Sequence, residues 1–293
     1  MVLSKNILVT GATGKQGSAV AQALLKRGQR VRALTRKPET AGALAKAGAE
    51  VVRGDFEDRA SIAAALRGCD GIFAMSTPFE TGMESEVQQG MLLADVAKAA
   101  SVRHFVYTSV ASADRNTGIP HFETKLRVER HIKDLGLPYT ILRPVWFMEN
   151  FGTWLLPGIQ KGSLAAPLWP QTRLHMVSLR DIGEFAAAAF THPDRFLGRE
   201  ITLAGDALTF PQVAEMLSKA LGHPVYFRHI PDDQAEKAVG QDMALMYRWF
   251  NEVGFDTDIH ALEQTYGIRL TKFAEVLANE EWAHPPLVGG RQS

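Results

Sequence analysis

The chain has 293 residues, 46% of them hydrophobic, with 32 Lys and Arg balanced by 32 Asp and Glu and a single cysteine. That length allows one large domain or two unequal ones, while the absence of net charge argues against direct nucleic-acid binding, which draws on a basic excess. One cysteine, Cys69, excludes a disulfide within the chain and fits a reducing compartment. With no apolar run long enough to span a bilayer and no leader-like segment before Ile7-Leu-Val9, a cytoplasmic protein without membrane association is expected.

The first strand, Ile7–Thr10, runs into glycines at 11, 14 and 17, and a helical pattern follows from Ser18, with Val20, Ala21, Leu24 and Leu25 on one face. A glycine-rich turn at a helix N-terminus aims backbone N–H groups at an anion. Gly11 permits the sharp turn, Gly14 lets the backbone approach a pyrophosphate, and Gly17 lets the helix lie close to the sheet. The strand before and the amphipathic helix after supply the context that makes this a dinucleotide cradle and not an ordinary junction.

Strands follow at Val31–Thr35, Glu50–Arg53, Gly71–Met75, His104–Ser109 and Tyr139–Arg143. Helices at Ser18–Arg27, Thr40–Ala47, Arg59–Leu66, Glu84–Ala100 and Phe122–Leu135 alternate with them. Gly28, Gly48, Gly68 and Gly136 lie just past four of these helices, where glycine ends a helix easily. The alternation, with strands apolar on both faces, predicts an α/β fold: a Rossmann-type doubly wound parallel sheet. Beyond Pro144 prolines punctuate shorter segments. Helices are expected at Ser178–Phe190, Phe210–Leu221, Asp232–Val239, Met243–Val253, Asp258–Tyr266 and Thr271–Glu281, with strands at Glu200–Ala204 and Val225–Arg228. The expected organisation is a dinucleotide-binding domain over 1–150, a smaller and mostly helical C-terminal lobe over 151–283 with segments returning to the sheet, and a loose tail at 284–293.

Ligands of such sheets bind beyond the carboxyl ends of the strands. The second strand ends in Thr35-Arg36-Lys37 where an NAD site usually has an acid for the ribose 2′-hydroxyl. The Arg36 fork suits a 2′-phosphate, which favours NADP(H) over NAD(H), unless Arg36 and Lys37 are only solvated charges near Glu39. After strand three, Asp55 is either an acceptor for the adenine amino group, with Phe56 near the ring, or a plain turn aspartate. Strand four leads to Ser76, Thr77, Pro78 and Phe79, strand five to Ser109, and strand six to Phe147, Met148, Glu149 and Asn150. His121 and Lys125, four residues apart, share a face at a helix start. Phe79, Trp146, Phe147, Phe151 and Trp154 read either as an apolar cleft for a flat ring or as packing. The scattered histidines 175, 192, 223 and 229 lack metal-ligand spacing, so no metal is expected.

Taken together, Gly-Ala-Thr-Gly-Lys-Gln-Gly at 11–17, Thr-Arg-Lys-Pro at 35–38, His-Phe-Glu-Thr-Lys at 121–125 and Leu-Arg-Pro-Val-Trp-Phe-Met-Glu-Asn-Phe at 142–151 resemble the NmrA-like family. These are atypical short-chain dehydrogenases/reductases, and within the family the likeness is greatest to the redox-sensor branch (HSCARG). The resemblance covers nearly the whole chain, with Glu86–Asp95 and Val177–Gly183. It implies NADP(H) held by Gly11, Ala12, Thr13, Gly14, Lys15, Gln16 and Gly17 at the pyrophosphate and by Arg36, Lys37 and Thr40 at the 2′-phosphate. It also implies Asp55 and Phe56 at adenine, Ser76, Thr77 and Pro78 beside the ribose, and Lys125 with Phe147–Asn150 near nicotinamide. Gln88 stands where the human member of the redox-sensor branch has a cofactor-contacting lysine, so the resemblance does not carry that contact over.

Reductases of the parent superfamily use Tyr-x-x-x-Lys, the phenol donating a proton. Here His121 stands at the tyrosine position, ahead of Lys125, and Ser109 can take the place of the polarising serine. His121 is then inert in a cofactor-responsive regulatory protein with a protein partner, which is the leading reading. Alternatively it is a general acid, since imidazole exchanges protons near neutral pH. In a third case the protein is again a reductase of quinones or small carbonyls, and hydride transfer to a quinone needs no protein acid because water can protonate the oxyanion. The oligomeric state is not readable from the sequence.

Overall fold

The computed structural model describes residues 4–284, and 285–293 of the expected tail lie outside the described residues. Strand β1 (Asn6–Val9), helix α1 (Lys15–Lys26), β2 (Arg30–Thr35), α2 (Gly42–Lys46), β3 (Glu50–Arg53), α3 (Arg59–Leu66) and β4 (Gly71–Ala74) open the chain. Then come α4 (Pro78–Thr81), α5 (Met83–Ala99), β5 (His104–Thr108), α6 (Pro120–Asp134) and β6 (Tyr139–Pro144). A further strand, Arg199–Leu203, pairs with β6. All pairings are parallel, and the sheet order is Arg199–Leu203, β6, β5, β4, β1, β2, β3. β1 therefore has β2 on one side, with Asn6 opposite Arg30, and β4 on the other, with Ile7 opposite Gly71. This is where the strand order reverses, and such a reversal leaves a crevice at the carboxyl ends of the two strands.

The strands carry apolar side chains on both faces because helices cover both. On one face Leu8, Ile72, Phe105 and Tyr107 pack with Ile62 and Leu66 of α3, Leu93 and Ala97 of α5, and Val128 and Ile132 of α6. On the other, α1 packs against helix Leu179–Thr191. Arg143 of β6 is tied to Glu129 of α6 by an ion-pair network that runs from the interior to the surface: its Nη2 lies 2.6 Å from the buried Glu129 and 2.6 Å from the partly exposed Glu200, and its Nη1 lies 2.7 Å from the exposed Asp114.

The chain divides into two compact units. The first runs through Val145 and takes in 179–204 and 257–269; the second holds 146–178, 205–256 and the chain from Leu270. The expected break at 150 thus moves to 145/146. The returning segment 179–204 carries both the helix that lies on α1 and the strand that extends the sheet past β6, while 257–269 adds the helix Ile259–Tyr266, whose Tyr266 ring packs on Phe185 and Phe196. The second unit has the expected helices and, beside them, short strands that the sequence reading mostly missed. Arg173–Val177 sits between Asp206–Thr209 and Trp146–Phe147, and Ser163–Ala166 pairs in parallel with Tyr226–His229. Its core includes ring contacts of Trp146 with Tyr247 and of Phe151 with Phe210 and Phe273. Trp146 and Phe151 are buried there, so their packing reading holds and the open-cleft reading does not; Trp154 stays half exposed.

Candidate functional site

The turn after β1 is shaped by glycine. Gly11 has φ +60°, and a Cβ there would meet Met75 Sδ at 2.4 Å. A Cβ on Gly17 would lie 2.2 Å from the Gly11 carbonyl oxygen, so the first turn of α1 rests directly on the loop that precedes it. Gly14 is the helix N-cap, bonded back through its N–H to Gly11 O at 2.9 Å. No side chain caps α1 and no acid sits in its first turn, which leaves this end suited to an incoming anion. The helix starts at Lys15, three residues before the expected Ser18, so Lys15, Gln16 and Gly17 belong to the helix itself. Thr10 fixes the neighbouring strand end, accepting from Met75 N through Oγ1 at 2.9 Å.

A cavity of about 470 Å³ opens at these strand ends. Gly11, Thr13 and Gly14 form its floor, Arg36, Lys37 and Thr40 follow β2, Asp55 and Phe56 follow β3, and Ser76 and Thr77 follow β4. These ten expected site residues are brought together. Thr40 Oγ1 donates to Lys37 O at 2.8 Å and Thr35 Oγ1 accepts from Lys37 N at 3.1 Å, so the cationic loop is internally braced. Asp55 Oδ1 accepts from Glu57 N at 3.1 Å: it is a turn aspartate and a cavity wall at once.

Other expected residues stand behind the cavity or apart from it. Ala12 is fully buried, and Gln16 donates through Nε2 to Thr108 Oγ1 at 2.8 Å in the interior. Pro78 is buried at the first position of α4. The side chains of Ala12, Lys15, Gln16 and Pro78 are not among those that line the cavity. From α5 it is Gln89 that lines the cavity, whereas the exposed residue before it, Gln88, does not. Phe147, Met148, Glu149 and Asn150 belong to the second unit, where Met148 is buried and Glu149 Oε1 accepts from Ser178 Oγ at 2.8 Å.

Lys125 is placed from α6 beneath the end of β4. Its Nζ donates to Ser76 O at 2.6 Å and pairs with Glu86 Oε1 at 2.9 Å, while Thr124 Oγ1 donates to the other Glu86 oxygen. Burial alone pulls the Lys125 ammonium down, but the Tyr107 phenol below it and the Glu86 carboxylate outweigh that and hold it above the ordinary lysine value. Burial pushes the Tyr107 phenol up, and with no exposed surface it cannot meet a substrate. Lys125 is thus a largely buried cation that is tied to the cavity wall through the Ser76 backbone. His121 lies at the start of the same helix, its ring 4.8 Å from Phe122 and 6.1 Å from Phe79, which is 73% exposed. Ser109 is buried just past β5, and its Oγ has no hydrogen-bond partner among the described residues, so it forms no hydrogen bond with His121 or Lys125.

Three participants escaped the sequence reading. Glu86 looks like one more polar residue on an amphipathic helix, yet it is fully buried. Arg53, at the end of β3, shares a second hollow of about 540 Å³ with Arg36. Glu80 of α4 lines the main cavity and binds Arg36 across it, Nη2 to Oε2 at 2.7 Å. Among the described residues no group of His, Cys, Asp and Glu is placed to hold a metal, and no helix is long and apolar enough to cross a membrane.

Comparison with known proteins follows the same lines. The (4-alkanoyl-5-oxo-2,5-dihydrofuran-3-yl)methyl phosphate reductase of Streptomyces griseus is 35% identical over 236 residues, 80% of each chain. Quinone oxidoreductase 2 of Escherichia coli is 30% identical over 243 residues, 80% of this chain and 82% of that one. The NADPH-dependent quinone oxidoreductase QOR2 of Escherichia coli, solved with NADPH, superposes with a TM-score of 0.80 at 27% identity, covering 93% of this chain and 98% of that one. The negative transcriptional regulator NmrA, solved with NADP, shares the fold alone: TM-score 0.74, 20% identity, 95% of this chain and 99% of that one. The NmrA-like family matches residues 3–283, and the chain belongs to that family.

Proposed function

We propose that the protein binds NADP(H) and reduces flat, conjugated acceptors such as quinones or unsaturated carbonyls. The observation that carries the cofactor part is the uncapped helix end on a glycine turn whose Cβ positions are already filled by backbone and by Met75, with Arg36 and Lys37 at the next strand end. The first-turn amides would hold the pyrophosphate, Arg36, Lys37 and Thr40 the 2′-phosphate, Asp55 and Phe56 the adenine end, and Ser76 and Thr77 the ribose. Lys125 sets the Ser76 backbone from behind. When bound, NADPH supplies a hydride.

The acceptor class rests on two supports. Two of the relatives that share 30–35% identity along most of the chain carry the names of a quinone oxidoreductase and of a reductase of a conjugated butenolide. The exposed Phe79 ring beside His121 offers a face on which a flat ring can stack. This reverses the order of the two readings taken from sequence. A regulatory role retains one specific support: the superfamily's phenol is replaced by His121, and Lys125 is committed to Glu86 and Ser76.

Calorimetry with NADPH and NADP+, followed by NADPH absorbance against benzoquinones, naphthoquinones and butenolides, tests the proposal. One-site binding with turnover above the cofactor-only control is expected. Binding without turnover on any acceptor would leave the regulatory reading, and no binding would remove both.

A further inference from the structure

We propose that Glu80 is a specificity element that competes with the 2′-phosphate for Arg36 and so holds down the preference for NADP(H) over NAD(H). The inference rests on the cofactor reading above.

The geometry is direct. Arg36 follows β2 and Glu80 lies on α4, after β4, so the two strands flanking β1 each send one charged side chain to the same rim. Both line the cavity, and they meet at 2.7 Å. Their side chains are 60% and 59% exposed, so the pair is of the solvated kind that contributes little to stability and is readily exchanged. A phosphate monoester is the stronger partner for a guanidinium, since it offers more oxygens and more charge to the same planar fork.

Binding there requires either that Glu80 leave Arg36 or that carboxylate and phosphate crowd one cation. Both cost affinity for a 2′-phosphate ligand, and neither touches a ligand with a bare 2′-hydroxyl. The remaining charges on the cavity wall do not remove the conflict: Lys37 adds one cation, while Asp55 and Glu57 add two carboxylates. Glu80 is also well placed to swing away. It sits on a one-turn helix that runs from Pro78 to Thr81 and is followed by Gly82, whose φ of +94° marks a break before α5.

The test is calorimetry of the full chain and of Glu80→Gln with NADP+, NAD+, 2′,5′-ADP and 5′-AMP, at low and high salt. Glu80→Gln is expected to tighten NADP+ and 2′,5′-ADP by about threefold to fivefold, the upper scale of an exposed charge pair, and to change NAD+ and 5′-AMP by less than about twofold. The gain should shrink at high salt, where exposed charges are screened. In an Arg36→Ala background it should vanish, which a merely structural role of Glu80 would not produce. An unchanged or weaker NADP+ affinity, an equal gain for NAD+, or a gain that survives Arg36→Ala would each overturn the proposal. If the unsubstituted chain binds neither dinucleotide, the cofactor reading falls and takes this inference with it; binding with an unaltered preference in Glu80→Gln removes the inference alone.

Discussion

Lys125 Nζ stands 2.9 Å from Oε1 of Glu86, a carboxylate with no exposed surface. Removing one member of such a pair strands the other in the interior, at a cost of about 3–5 kcal/mol. Lys125→Ala is therefore expected to lower the unfolding free energy by an amount of that order. Lys125→Met combined with Glu86→Gln, which leaves no charge behind, should recover most of it. Urea unfolding of the two variants checks this, and equal losses in both would mean that the pair is not what Lys125 contributes.

Arg36 is expected to discriminate between the dinucleotides. A hydrogen bond to a charged partner contributes about 1.5–3 kcal/mol, so Arg36→Ala should weaken NADP+ by about tenfold or more. NAD+ should change by less than about twofold, because it lacks the group that Arg36 is placed to hold. Titration of the variant with both dinucleotides measures the ratio, and parallel losses would show that Arg36 serves the general shape of the rim instead.

The cradle itself can be tested without altering charge. A methyl group on Gly17 would sit 2.2 Å from the Gly11 carbonyl oxygen and 2.5 Å from its carbonyl carbon, both backbone atoms. Gly17→Ala must push α1 off the turn, an overpacking cost of about 1–3 kcal/mol. Dinucleotide binding should fall at least about tenfold, because amides that are aimed by that contact lose their aim. Gly28, where an added Cβ meets nothing within 4 Å, provides the control: Gly28→Asn should leave binding intact. Thermal unfolding and dinucleotide titration together separate the two effects.

Much of this was legible because it is local. β3, α3 and the helices Phe210–Leu221 and Asp232–Val239 have the bounds expected from periodicity and end signals, since apolar spacing and caps act within a few residues. The glycine turn was legible for the same reason. What was missed depends on distant partners. Ser163–Ala166, Arg173–Val177 and Asp206–Thr209 are four- and five-residue strands whose pairing partners alone make them strands. Arg36 and Glu80 are 44 positions apart, and Glu86 and Lys125 are 39 apart; in neither case does the first residue announce the second. The place of Ser109 was readable from its position after β5, whereas its burial was not.

His104 introduces a pH dependence. It is buried at the start of β5, and desolvation, aided by the nearby Lys5 cation, pulls its pKa from 6.5 down to about 4. Thr140 gives its hydroxyl proton to Phe196 O, so His104 Nε2 must be the donor in its 2.8 Å bond to Thr140 Oγ1. Nδ1 is then the unprotonated nitrogen, buried with no partner among the described residues to receive a second proton's charge. The unfolded chain takes up that proton below about pH 6.5, while the folded chain resists until about pH 4. The contribution is therefore intact above pH 6.5 and lost as pH falls, by about 3 kcal/mol in total. Unfolding free energies measured from pH 7 to pH 4 should drop less steeply in His104→Leu, and identical slopes would rule His104 out as the cause.

His121 separates the chemistries. Hydride addition to a quinone leaves a phenolate-like anion, whose conjugate acid has a pKa of about 10, so water can protonate it without help from the protein. Hydride addition to an isolated carbonyl leaves a far more basic alkoxide, which needs a proton as it forms. The His121 ring lies 6.1 Å from the exposed Phe79 ring and 4.8 Å from the buried Phe122 ring, which puts an imidazole beside the proposed stacking face. His121→Ala is accordingly expected to leave quinone turnover within about threefold of the unsubstituted protein while lowering aldehyde turnover by about a hundredfold, the lower range for a lost general acid. The decisive measurement is kcat for both acceptors at saturating NADPH, with NADPH affinity measured alongside. A hundredfold loss for both acceptors with NADPH affinity unchanged would make His121 an obligatory proton donor, and an effect on neither would return it to a structural role at the head of α6.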